Sequence, residues 1–121
     1  AQTLESSEKD LKAARAVLQT GNYGWTLAIA YNSMLQAGRA LMFRSGFRPK
    51  GEYKHLAVVK FAAEKLRRES SDLVKLFNKA RKRRHRVVYE AQETVSKSEA
   101  EAVIGQAEKF LAVVKVEIAK K

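Results

Sequence analysis

The chain has 121 residues, 45% of them hydrophobic and 31% charged, with one Pro and six Gly. That is enough chain for one packed core, and we expect a single domain over residues 1–121 with little irregular structure. It has no Cys, which excludes disulfide scaffolds, thiolate metal sites and cysteine nucleophiles and suits a reducing cytoplasm; Lys plus Arg outnumber Asp plus Glu by 24 to 13, for a net charge of +11 that favours polyanionic partners.

The first helix is expected from Ser7, where "SEKD" has the spacing of a capping box with Asp in place of Glu, and Leu4, Leu11, Ala14 and Leu18 recur at helical intervals. "TGNYG" ends it. The second, about Tyr23–Ser45, is apolar on most sides ("WTLAIAYNSMLQAGRALMF") and therefore central, with Ala37, Gly38 and Ala40 allowing close approach by a neighbour. Trp25 and Phe43, lying on this helix, are expected in the core. "SGFRPKG" breaks it with Gly and Pro. A third helix follows at about Tyr53–Arg68, and "ESSD" offers Ser70 or Ser71 as the cap of a fourth that reaches about Glu93. Ser98 and Glu101 form the capping box of a fifth, in which Val103, Ala107, Phe110, Leu111, Val114 and Ile118 share one face. No segment alternates as a strand, none approaches the roughly 20 apolar residues that cross a bilayer, and the start lacks the apolar core of a signal peptide. The expectation is an all-α helical bundle with no membrane contact.

The fourth helix holds the concentrated charge. Six of the eight residues from Lys79 to Arg86 are Lys or Arg, and His85 stands among them. At about 100° per residue, Leu73, Leu76, Phe77, Ala80, Val87, Val88 and Ala91 form one stripe with Arg84 near its centre. A guanidinium there needs carboxylate or carbonyl partners, or must open onto a cleft, because an unpaired buried charge is costly. Lys75, Lys79, Lys82 and Arg86 fall on the far side, as a solvated basic face. His85 and Tyr89 share a flank with Arg81 one turn earlier. Arg, His and Tyr together could support phosphate chemistry without a metal, with His moving protons and Arg stabilising a pentacoordinate phosphorus.

Other signals are weaker. His55 and His85 are too few and too far apart for a metal motif, "GNYG" and "GFRPKG" lack dinucleotide or P-loop spacing, and Ser33 has no His and Asp signature beside it. No metal or cofactor is implied.

Three stretches resemble the HEPN superfamily of small helical prokaryotic proteins. They are "DLKAARAVLQTGNYGWTLAIAYNSMLQAGRALMFRSGFRPKG", with its run from Tyr31 to Met42; "KARKRRHRVVY"; and "SEAEAVIGQAEKFL". The resemblance implies an up-and-down bundle of four or five helices, usually a homodimer, related to helical domains that accompany minimal nucleotidyltransferases. Many such proteins are metal-independent endoribonucleases of toxin–antitoxin or defence systems. Carried over, the family motif places Arg84 at its Arg and His85 at the polar residue that follows. Tyr89 stands where the motif His falls, as in a branch of small stand-alone relatives. Ala91 occupies the position of a Tyr that nucleotidyltransferases modify in some relatives. The candidate catalytic set is then Arg84, His85 and Tyr89, and the candidate nucleic-acid contacts are Lys79, Arg81, Lys82, Arg83 and Arg86. Two functions stay open: an RNA- or nucleotide-interacting protein, with or without ribonuclease activity, and a non-catalytic helical partner of a nucleotidyltransferase.

Overall fold

The computed structural model describes residues 2–48, 54–89 and 95–120. Among these residues five α-helices follow one another: α1 (Gln2–Gln19), α2 (Tyr23–Arg44), α3 (Lys54–Lys65), α4 (Ser71–Tyr89) and α5 (Lys97–Ala119), with a 3-10 turn at Arg68–Ser70 leading into α4. No strand occurs among the described residues. The arrangement is an up-and-down bundle, and α2 packs against all four other helices, as its nearly continuous apolar surface requires. Its buried residues Leu27, Tyr31, Met34, Leu35 and Leu41 meet Leu11 and Ala14 of α1, Val58 and Ala62 of α3, Phe77 of α4, and Phe110 and Val114 of α5 in one core.

Close approach at the centre depends on Gly38. A methyl group there would overlap Val58 Cγ1 and lie 3.5 Å from the Phe77 ring. Its missing side chain lets α3 and α4 both close on α2. The turn after α2 is closed by Gly46 at φ +87°, a conformation suited to Gly, while Phe47 N–H donates to the Met42 carbonyl at 2.9 Å.

Several expectations are corrected. α1 begins five residues before Ser7, and Ser7 is a buried core residue rather than a cap. Its hydroxyl donates to the Ser33 carbonyl at 2.7 Å, and the Ser33 hydroxyl donates to the Ser7 carbonyl at 2.8 Å, so two small polar side chains satisfy each other where α1 crosses α2. Ser33 is thereby a structural hydroxyl. The cap of α5 is Ser96, whose hydroxyl accepts from Glu99 N–H at 3.1 Å, two residues ahead of the expected Ser98. The repeated "SKSE" spacing offers both registers, and the earlier one adds half a turn. Trp25 is 59% exposed and Phe43 39% exposed, both near the ends of α2. α3 is shorter than expected, and Tyr53, Glu93 and Ala91 lie outside the described residues.

A candidate anion-binding site

Phe77 anchors the site. Its ring lies 5.8 Å from that of Tyr31 on α2 and 4.8 Å from that of Phe110 on α5, tilted against both. From Phe77 the helical period carries Arg81 and Arg84 one and two turns further along the same side of α4. Both are half-buried. Tyr31 is fully buried, and its hydroxyl is 3.1 Å from His55 Nδ1, at the start of α3. The rings of the pair are 5.8 Å apart.

Three guanidiniums bear on this pair: Arg84 and Arg81 from α4, and Arg39 from α2, two turns beyond Tyr31. Burial pushes the Tyr31 phenol up to about 12, outweighing the opposing pull of the three cations. Burial also lowers the His55 pKa from its usual 6.5, and Arg84, Arg39 and Arg81 lower it further. At neutral pH the pair is therefore an uncharged phenol and an uncharged imidazole. With the phenol donating to Nδ1, the imidazole carries its proton on Nε2, where it can serve as a donor.

Arg81 Nε donates to Asn78 Oδ1 at 3.0 Å, a neutral partner. Among the described residues, no carboxylate forms an ion pair with Arg39, Arg81 or Arg84. Three like charges at a half-buried place, without a counter-ion among the described residues, make a site for an anion. Beside it runs a groove of about 380 Å³ to which Arg39, Arg48, Lys54, Gln36 and Phe43 contribute, with Arg48 stacked over the Phe43 ring at 5.2 Å.

The other sequence-derived candidates scatter. Lys79, Lys82, His85 and Arg86 are exposed on the outer side of α4, so His85, although next to Arg84 in sequence, is turned about 100° away from it. Arg83 is engaged elsewhere: its Nε and Nη2 donate to the two carboxylate oxygens of Glu99 on α5 at 2.6 and 2.9 Å. The Tyr89 side chain lies outside what the structure describes. Three members of the cluster, Tyr31, His55 and Arg39, escaped the sequence reading. A signal for His55 exists in the sequence, since His55, Val58, Val59 and Ala62 share one helical face, which marks the imidazole as facing the core.

The Arg83–Glu99 fork ties α4 to α5 with side chains only 20% and 31% exposed. The Arg83 hydrogen bonds, with Lys79 and Arg86 nearby, hold the Glu99 carboxyl below the usual carboxylate range. A depressed carboxyl pKa adds stability above its unfolded-chain value, and that stability is lost as pH falls through the folded value. The melting temperature is thus expected to decline below about pH 4, and Glu99→Gln to flatten that part of the profile relative to wild type. Identical acid limbs for the two proteins in differential scanning fluorimetry would contradict this.

Among the described residues there is no helix long and apolar enough to cross a membrane, and no group of three or more His, Asp or Glu that could hold a metal ion. No curated protein matches the chain. It is similar to the crystal structure of an archaeal HEPN homologue, with a TM-score of 0.76 at 20% identity, over 97% of this chain and 95% of that one. At that identity the likeness speaks for the fold. The family model described as "HEPN domain" matches residues 1–117. With the bundle, its long central helix and nearly the whole length accounted for by that match, the chain belongs to the HEPN family.

Proposed function

We propose that this HEPN protein binds RNA or nucleotides in the cytoplasm, gripping phosphate at Arg84, Arg81 and Arg39, while Lys79, Lys82 and Arg86 on the outer side of α4 extend the contact along a strand. The observation that carries this reading is the meeting of three guanidiniums, without a described carboxylate partner, at the neutral Tyr31–His55 pair. A surplus of eleven positive charges would steer polyanions to it. In a ribonuclease of a toxin–antitoxin or defence system, Arg84 would stabilise the transition-state phosphorus, and His85 and Tyr89 would act from a site completed by a second copy of the chain.

One feature favours a second reading, that of a non-catalytic partner of a nucleotidyltransferase. Arg84 faces inward and His85 outward, so within one protomer they do not face a common phosphate. Binding without cleavage fits that geometry.

The test is fluorescence anisotropy with a labelled single-stranded RNA in excess EDTA across a salt series, with gel analysis of the same samples. We expect binding that weakens steeply with salt, by about tenfold or more between 50 and 200 mM, because each neutralised phosphate releases counter-ions. Absence of binding at the lowest salt would overturn the RNA reading and leave the nucleotidyltransferase-partner reading. EDTA-resistant RNA fragments would establish the ribonuclease form of it.

A further inference from the structure

We propose that the Arg39–Arg81–Arg84 cluster over Tyr31 and His55 is a receptor for a doubly charged terminal phosphate, a phosphate monoester at an RNA end or on a free nucleotide, in preference to the singly charged phosphodiester within a strand. This deepens the RNA- or nucleotide-binding reading above and rests on it.

The first reason is charge. Arg39 comes from α2, and Arg81 and Arg84 from α4, and no described carboxylate pairs with any of them. An internal phosphodiester would neutralise one of the three charges, whereas a monoester carries close to two at neutral pH. In a half-buried site, where water screens less than in bulk, the Coulomb attraction grows in proportion to that ligand charge.

Geometry of donors is the second reason. Each guanidinium presents a planar fork of N–H groups suited to a pair of phosphate oxygens. A monoester offers three free oxygens and a diester only two, so three forks are better used by the former. Where the Tyr31 phenol donates to Nδ1, the neutral imidazole of His55 carries its proton on Nε2, a further donor.

A third reason is room for the rest of the ligand beside Arg39. Arg39 belongs both to the cluster and to the groove of about 380 Å³ in which Phe43 stands partly exposed beneath Arg48, and Lys54 of that groove adjoins His55 in sequence. A nucleoside joined to the bound phosphate would lie there, its base against the Phe43–Arg48 stack.

Proton linkage follows. Among the described residues, the groups facing His55 are Tyr31 and Arg39 from α2 and Arg81 and Arg84 from α4, with Lys54 next to it on α3. In the empty site burial, with Arg84, Arg39 and Arg81 adding to it, keeps the imidazole neutral. A bound dianion offsets the guanidiniums and raises the His55 pKa, so binding takes up a proton. The added affinity is fully present below the pKa of the empty site and is lost as pH rises through that of the occupied one.

The experiment measures affinity for one labelled RNA oligonucleotide carrying a 5′-phosphate, a 3′-phosphate or hydroxyls at both ends, with adenosine monophosphate and adenosine as competitors. A phosphorylated end is expected to bind about tenfold tighter or more than the hydroxyl ends, as an added set of charge-assisted hydrogen bonds gives, and Arg39→Gln to erase the difference. Competition by the monophosphate but not by adenosine, without any end effect, would support the site with free nucleotide as its ligand. Equal affinity for all three oligonucleotides, with no competition by the monophosphate, would overturn the proposal while leaving RNA binding intact. No RNA binding at low salt would overturn both. Wild-type protein supplies a second measurement that does not depend on the folding of a variant. Sulfate stays a dianion throughout the titration range, so adding it should raise the His55 pKa seen by proton NMR. An unmoved His55 titration at saturating sulfate would also overturn the proposal.

Discussion

Replacing Arg84 with Ala is expected to weaken RNA binding about tenfold to a hundredfold while leaving the melting temperature nearly unchanged. The loss corresponds to about 1.5–3 kcal/mol, the usual range for hydrogen bonds to a charged group. Stability should hold because Arg84 has no described carboxylate partner to be left behind, unlike a buried ion pair, where removing one member costs about 3–5 kcal/mol. Its removal also relieves repulsion with Arg81 and Arg39. Where EDTA-resistant cleavage is found, Arg84→Ala should lower it by at least about a hundredfold, as loss of a transition-state donor does. Thermal melts and anisotropy on the same preparation check both halves. A melting temperature lowered by ten degrees or so would mean a structural ion, and the open-site reading would fail.

The largest expected loss of stability is at Phe77. Truncation to Ala at this fully buried position should cost about 3–5 kcal/mol, read as a lower urea midpoint at unchanged slope. The ring fills the space between Tyr31 and Phe110 and lies against the back of Gly38, so three helices lose contacts together. Little compensation by collapse is available, because α2 is already held at close range by the Ser7–Ser33 exchange and by Val58. RNA affinity should fall as well, since Tyr31 and the Arg81–Arg84 turn are both seated on Phe77. A cost below about 1 kcal/mol would show that the aromatic stack is not what holds α4 in place.

The helices were legible because they depend on local signals. Apolar spacing in α5, the Gly and Pro break after α2, and the centrality of α2 all follow from side-chain period and backbone preference. Capping was legible only in kind. "SKSE" contains two serines with acceptable spacing, and the local sequence does not choose between them. Ser7 looked like a cap because Ser, Asp and their spacing carry no record of a partner helix, yet Ser33, 26 residues away, claims its hydroxyl. Arg84 was visible as a charge out of place on an apolar stripe. Its companions were not, because Arg39, Tyr31 and His55 come from two other helices and meet it only through packing at Phe77. Trp25 was misplaced for a similar reason: helical period tells which side of α2 is apolar but not how closely its neighbours cover each turn.

That misplaced Trp25 has a practical consequence. It is the protein's one indole, and in the folded chain it already faces water. Its emission should therefore sit near that of a free indole in the native state and change little in wavelength on denaturation, making it a poor gauge of folding. The same ring borders a cleft of about 370 Å³ with Ala28, Val87 and Val88. Whatever covers that cleft must dry the indole, so a blue shift on adding a ligand or raising protein concentration would register occupancy against an almost silent background.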